Sequence, residues 1–119
     1  MSENKKYDLE DRTLSFARNV RLFLQKLPIS LKFHDDVSQL TRSSGSIGAN
    51  YIEANESLGK KDFAMRVKIC RKEAKETIYW LKLFQAQNLS VELEDERYKL
   101  EKEASEIMHI FGAIVSKVS

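Results

Sequence analysis

The chain has 119 residues, with 20 Lys and Arg against 18 Asp and Glu and a formal net charge of +2. That length buries a core for one domain and is too short for two, and the near balance of charge excludes a wholesale polybasic or acidic tail protein. A single cysteine, Cys70, excludes an intramolecular disulfide framework and a cysteine-clustered zinc site.

No stretch approaches the roughly 18 to 20 uninterrupted apolar residues of a membrane span. The first residues, MSENKKYDLEDR, are charged and lack an apolar signal core. A soluble cytoplasmic protein without membrane association is therefore expected. One Pro and four Gly leave few breakers, which favours long helices over many short strands.

Helical periodicity accounts for most of the chain. A first helix is predicted from about Asp8 to Leu27, with Leu9, Phe16, Val20, Phe23 and Leu27 on one narrow arc and Thr13 and Leu24 beside it. Only the first few residues are expected to fray. Pro28 ends the helix, because the residue before a proline is pushed out of the α region. Asp35 or Asp36 suits the N-cap or first turn of a second helix that runs to about Ser57. Its inward positions are Val37, Leu40, Ser44, Ile47, Tyr51 and Leu58.

The middle of that helix, Ser43 to Ala49, is poor in helix formers, and each interior Gly costs about 1 kcal/mol relative to Ala. A loop there would split the segment. The flanking apolar residues instead keep helical phase across it, which predicts a continuous helix whose small residues admit a close neighbour. Gly59 reads as its C-terminal stop.

A third helix is predicted from about Lys60 to Gln87, with Phe63, Val67, Cys70, Ala74, Thr77, Ile78, Leu81 and Phe84 inward. Asn88 and Ser90 punctuate the next turn. A fourth runs from about Val91 to Val118 on a stripe of Leu93, Leu100, Ala104, Ile107, Phe111, Ile114 and Val118, at nearly heptad spacing. Four amphipathic helices with short connections predict an all-α, antiparallel up-down four-helix bundle in one domain over residues 1–119.

The charge is unevenly placed. Residues 1–33 carry seven basic and four acidic groups, and residues 34–59 carry one and four. Residues 60–88 carry eight and three, and residues 89–119 carry four and seven. The third helix is thus the basic element. Lys61, Lys68, Lys72, Lys75 and Lys82 project within about 80° of one another opposite the core face, with Tyr79 among them and Arg71 at the margin. A lysine row with an aromatic is what a binder of phosphate backbones presents. The alternative is a solvated face neutralised by the acidic fourth helix, within the chain or across a subunit boundary.

The third helix also carries a second apolar group, Met65, Ile69, Trp80 and Leu83, on a flank distinct from its core face. A helix apolar on two sides packs on two sides, and Trp is typical of interface cores. These residues are the candidate homo-oligomer interface, the alternative being that they broaden the intramolecular core.

Chemistry-bearing constellations are scarce. His34, Asp35 and Asp36 are adjacent at a helix start, so they point apart rather than converge on a metal. Glu106 and His109 read Glu-x-x-His, but this occurs once and lacks the inward Glu companions of a di-iron bundle. Cys70 lies on the inward face and reads as a small core residue without a His partner for nucleophilic catalysis. No Gly-rich phosphate loop follows a strand. The expectation is a protein with no catalytic residue, no metal, no cofactor and no small-molecule substrate.

Two longer blocks carry a family resemblance. The run from Ser38 to Ala54, SQLTRSSGSIGANYIEA, resembles a hallmark of the four-helix-bundle proteins encoded by bacterial 23S rRNA intervening sequences. The second block is Asp62-Phe63 followed by KICRKEAKETIYWL from Lys68 to Leu81. The resemblance spans roughly residues 9–118. Members of that family are often mislabelled as ribosomal proteins. The resemblance implies a small helical bundle that assembles as a ring-like homopentamer. It extends to the accessory protein of diversity-generating retroelements, a pentameric bundle with a basic surface that acts with a reverse transcriptase and nucleic acid. No catalytic residues carry over. Within the blocks, Arg42, Asn50, Glu53, Glu73, Glu76 and Tyr79 are polar or amphipathic, and an Arg–Glu network joining the second and third helices, or adjacent subunits, is expected.

Two functions follow from these features. One is a non-catalytic oligomer binding RNA or DNA through Lys61, Lys68, Arg71, Lys72, Lys75 and Lys82. The other is an oligomeric scaffold for a protein partner, with the same residues solvated or paired.

Overall fold

A computed structural model of the protein describes residues 5–118. They form α1 (Lys5–Lys26), α2 (His34–Asn55), α3 (Lys60–Leu83) and α4 (Val91–Val118), with single 3₁₀ turns at Ile29–Leu31 and Phe84–Ala86. The expectation of fraying concerns residues before Lys5, outside the described ones. No helix among the described residues is long and apolar enough to cross a membrane.

Each helix packs against its neighbour in sequence, and α4 closes back on α1. Among the described residues the backbones of the diagonal pairs α1–α3 and α2–α4 do not approach closely, and contact across the bundle is made by core side chains such as Tyr51 and Phe111. Side-chain pairings give the sense of each seam. Asn55 donates to Glu10 across α1–α2, Arg42 pairs with Glu76 across α2–α3, Lys82 approaches Glu101 across α3–α4, and Arg12 pairs with Glu103 across α1–α4. In the first three an early residue of one helix meets a late residue of the other; in the fourth, Arg12 also reaches Glu106 while Lys26, at the end of α1, meets Glu96 near the start of α4, so all four seams are antiparallel. The result is the expected up-down four-helix bundle, flattened to Cα extents of 47 × 33 × 19 Å.

The predicted stripes are the core. Leu9, Phe16, Val20, Phe23, Leu27, Leu40, Ile47, Tyr51, Val67, Cys70, Ala74, Leu81, Phe84, Leu100, Ala104, Ile107 and Phe111 are all buried. Phe23 and Phe84 meet edge to face at 6.1 Å, and Tyr51 tilts against Phe111 at 5.4 Å, geometries the ring quadrupole favours.

The glycine- and serine-rich middle of α2 is continuous helix. Ser43 and Ser44 are fully buried. The Thr77 hydroxyl of α3 sits 2.9 Å from the Ser43 hydroxyl and 2.8 Å from the Glu73 carbonyl. These short polar side chains let α2 and α3 approach closely while satisfying one another.

Several boundaries differ from the sequence reading. α2 ends at Asn55 rather than Ser57, with the Glu56 N–H turning back to Glu53 and Ala54 carbonyls. Leu58 therefore lies past the helix, where its phase no longer applies, and is fully exposed instead of inward. Gly59 does not stop α2. It is the extended N-cap residue of α3, and its carbonyl accepts from the Phe63 N–H at 3.0 Å. α3 itself ends at Leu83, and the predicted last turn tightens into 3₁₀ geometry. At the end of α4, Val115 is buried while Ile114 and Val118 are half-buried, because a straight helix drifts off a strict heptad.

Candidate nucleic-acid interface

The basic face of α3 is positioned by the core on its opposite side. Val67, Cys70, Ala74, Thr77 and Leu81 are all buried. Helical geometry then sends Lys61, Lys68, Arg71, Lys72, Lys75 and Lys82 outward, and all six are exposed.

Four of the six come together. Lys68, Arg71, Lys72 and Lys75 line an open groove of about 660 Å³ between α3 and α4, whose far wall is Met108, His109, Gly112, Ala113 and Ser116. The small residues of α4 make room for the long basic side chains. A Cβ on Gly112 would lie 3.7 Å from Arg71 Cδ, so the Arg71 stem rests across the α4 backbone there. The His109 Nδ1 donates to the Ser105 carbonyl at 2.7 Å, since a carbonyl can only accept.

Lys61 and Lys82 do not line this groove. Lys61 lies in the first turn of α3, about two turns before Lys68. Lys82 is drawn toward α4, with Nζ 3.9 Å from Glu101 Oε2.

The acidic fourth helix does not neutralise the groove. Six of its seven carboxylates are engaged elsewhere. Glu103 and Glu106 take Arg12 at 2.7 and 2.9 Å, Glu96 takes Lys26 at 3.1 Å, and Asp95 takes Lys99. Glu94 and Glu101 clasp Arg97 at 2.8 and 2.7 Å. Among the described residues, no carboxylate lies within 4 Å of a charged nitrogen of Lys68, Arg71, Lys72 or Lys75. Four cations without a direct ion-pair partner at one groove make a positive potential that attracts polyanions.

The expected Arg–Glu network is present within the chain. Arg42 Nη2 of α2 lies 2.7 Å from Glu76 Oε2 and 3.2 Å from Glu73 Oε1 on α3. The Trp80 Nε1–H donates to the same Glu76 oxygen at 3.2 Å. Burial pushes the Glu76 carboxyl up, but hydrogen bonds from Trp80 and Arg42 outweigh it and hold the group below its ordinary value. Asn50 lies outside this network and makes a separate α2–α3 contact, accepting from Arg66 at 3.4 Å.

The candidate oligomer flank divides. Trp80 is half-buried and packs against the core. Ile69 and Leu83 are half-buried, and Met65 is 51% exposed. A second apolar surface escaped the sequence reading, a groove between α1 and α2 lined by Leu14, Ala17, Gly45, Ala49 and Ile52. Leu14 and Ile52 sit one position off the buried stripes, a signal that is visible only once the stripes are fixed.

Arg97 also escaped notice. It is 1% exposed, a charged residue at a core position of α4, held by Glu94 and Glu101 and donating to the Leu81 carbonyl at 3.4 Å. Its signal was the flanking acids three residues before and four after, a spacing that faces them toward it.

The remaining sequence candidates separate. His34 is solvated, 3.7 Å from Asp35. Glu106 turns to Arg12, away from His109. Cys70 is fully buried, and burial pushes its thiol up to about 12, which keeps it protonated and unreactive.

Comparison with known proteins bears on the whole chain. The family model for the 23S rRNA-intervening sequence protein matches residues 5–113. The fold is similar to a crystal structure from Bacteroides thetaiotaomicron VPI-5482, described as a protein of unknown function from the S23 ribosomal protein family. The TM-score is 0.82 at 29% identity, over 95% of this chain and 99% of that one. No curated protein matches the chain.

Proposed function

The chain belongs to the family of 23S rRNA-intervening sequence proteins, and from that premise we propose that it is a non-catalytic, homo-oligomeric protein that binds nucleic acid through the basic face of α3. The observation that carries this reading is the groove of Lys68, Arg71, Lys72 and Lys75, left without carboxylate partners while the neighbouring acids pair elsewhere. Lys61 and Lys82 extend the same face along the helix. The resemblance to the pentameric accessory protein of diversity-generating retroelements supports a homopentamer, and the charged first residues without an apolar signal core support its acting in the cytoplasm. A ring would repeat the groove and multiply a weak phosphate attraction by avidity. Met65 and the half-buried Ile69 and Leu83, beside Trp80, are the surface proposed for the subunit contact.

Fluorescence anisotropy with a structured ribosomal RNA fragment and with duplex DNA, at low and near-physiological salt, tests the binding. Counterion release predicts a steep loss of affinity as salt rises. Combined Lys68→Glu, Lys72→Glu and Lys75→Glu substitutions should abolish binding. No binding at low salt would overturn the reading. Light scattering tests the assembly, a pentamer having five times the 13.8 kDa of the chain.

A second reading is an oligomeric scaffold for a protein partner. The open apolar groove of Leu14, Ala17, Ala49 and Ile52 favours it. An apolar contact of that kind would change little with salt, which separates the two.

A further inference from the structure

Tyr79 stands in the middle of the basic row. At 3.6 residues per turn it falls within about 60° of Lys68, Lys72, Lys75 and Lys82 around the α3 axis, about 6 Å along the axis beyond Lys75 and 4.5 Å before Lys82. It is 57% exposed, so its ring is open to a ligand that the lysines draw in.

The ring is nonetheless held. It packs against Trp80 at 5.0 Å with an 80° interplanar angle. A T-shaped contact engages at most one face of the Tyr79 ring, and more than half of the residue stays open to another planar group. Trp80 is fixed in turn. Its apolar surface packs on the core, and its indole N–H donates to Glu76, which Arg42 of α2 anchors at 2.7 Å. A chain of contacts from α2 thus places Trp80 against one side of Tyr79, beside lysines without ion-pair partners, and a ring that is already packed on a neighbour loses less freedom on binding than a free one.

An aromatic among lysines recognises unpaired bases. The base stacks on the ring whatever its identity, and the lysines follow the backbone. A duplex keeps its base faces inside the stack, so it gains nothing from the ring. We propose that the α3 face takes a single-stranded nucleic acid, with backbone phosphates along Lys68, Lys72 and Lys75 and one unpaired base stacked on Tyr79. This rests on reading α3 as the nucleic-acid face and names the form of nucleic acid it prefers.

Anisotropy with a labelled unstructured RNA, a DNA of the same sequence and the corresponding blunt duplex, at low salt, tests it. The single strands should bind more tightly than the duplex. Tyr79→Leu should weaken single-strand binding about tenfold, within the range of one lost base stack, and leave duplex binding unchanged. Tyr79→Phe, which keeps the ring, should bind as the parent does. Single strands should also alter the emission of Trp80, the one tryptophan in the chain. RNA and DNA strands losing affinity equally would support stacking on the base, while a loss for RNA alone would assign the phenol to the sugar hydroxyl and overturn it.

If single strand and duplex both bind and Tyr79→Leu changes neither or both alike, stacking fails while the basic face stands. If the parent protein binds none of the three, both readings fall. If Tyr79→Leu lowers the assembly mass, the ring belongs to a subunit contact and the proposal is overturned.

Discussion

Gly48 lies against Thr13. A Cβ at Gly48 would come 2.8 Å from Thr13 Oγ1 and 3.3 Å from its Cβ. The Thr13 side chain cannot swing aside cheaply, since it is buried and its hydroxyl donates to the Leu9 carbonyl at 2.9 Å. Gly48→Ala must therefore push α1 and α2 apart. Overpacking of this kind costs about 1–3 kcal/mol, against a gain of up to about 1 kcal/mol in helix propensity. Gly45 is the internal control. Its nearest neighbour would be the end of the Arg21 side chain at 3.5 Å, an ordinary contact. Thermal unfolding should show Gly48→Ala destabilised by about 1 kcal/mol and Gly45→Ala stabilised by up to about 1 kcal/mol. The same sign at both positions would contradict the packing of α1 on α2.

Arg97 is expected to be the most sensitive charged position. Removing one partner of a buried, hydrogen-bonded ion pair costs about 3–5 kcal/mol. Glu94 and Glu101 retain some solvent, which places Arg97→Ala near the low end, about 3 kcal/mol or roughly a 10 °C fall in Tm. Arg97→Met keeps the apolar stem and should recover part of the loss. Urea titrations of both variants measure it, and an Arg97→Ala midpoint equal to the parent's would show that the clasp contributes nothing.

Acid should weaken the bundle through two carboxylates. Hydrogen bonds from Arg97 outweigh burial and hold Glu94 below its ordinary value of 4.5, and Trp80 and Arg42 do the same for Glu76 against the larger upward push of burial. A carboxyl whose folded value lies below its unfolded one adds stability above the unfolded value, and loses it as pH falls through the folded one. The urea midpoint should hold on the neutral side of 4.5 and fall below it. Glu76→Gln should lower the neutral midpoint and flatten the acid limb. An acid limb as steep as the parent's would remove Glu76 from the account.

Cys70 offers a reporter of opening. Buried and held protonated, it should resist an aromatic disulfide reagent in the native protein and react promptly in denaturant, because the thiolate is the nucleophile. Stoichiometric labelling of the native protein within minutes would mean that the α3 face of the core opens readily.

Much of this architecture is legible in the residue pattern. Phe16, Val20 and Phe23, or Leu100, Ile107 and Phe111, recur at helical spacing and need no knowledge of their partners to be placed inward. The continuity of α2 through Gly45 and Gly48 is legible for the same reason, as phase survives across the small residues. Legibility stops where a side chain's place depends on another helix. Arg97 reads as a surface cation until its neighbours are seen to enclose it. Leu58 reads as inward only while α2 is assumed to reach it. The lysine row is visible from spacing alone, but its division is not. Whether Lys82 faces an acid and Lys68 does not depends on which carboxylates of α4 are already taken by Arg12, Lys26 and Arg97.

The antiparallel α1–α4 seam, in which Arg12 meets Glu103 and Glu106 while Lys26 meets Glu96, brings the beginning of α1 and the end of α4 to the same end of the bundle. The α2–α3 turn, where Leu58 projects fully into solvent, is a connection on which no seam depends. A short linker joining Val118 to Lys5, with new termini opened beside Leu58, would preserve all four seams. The fold is in this sense a closed cycle of helices, and its order of synthesis is one choice among several that lead to the same packing.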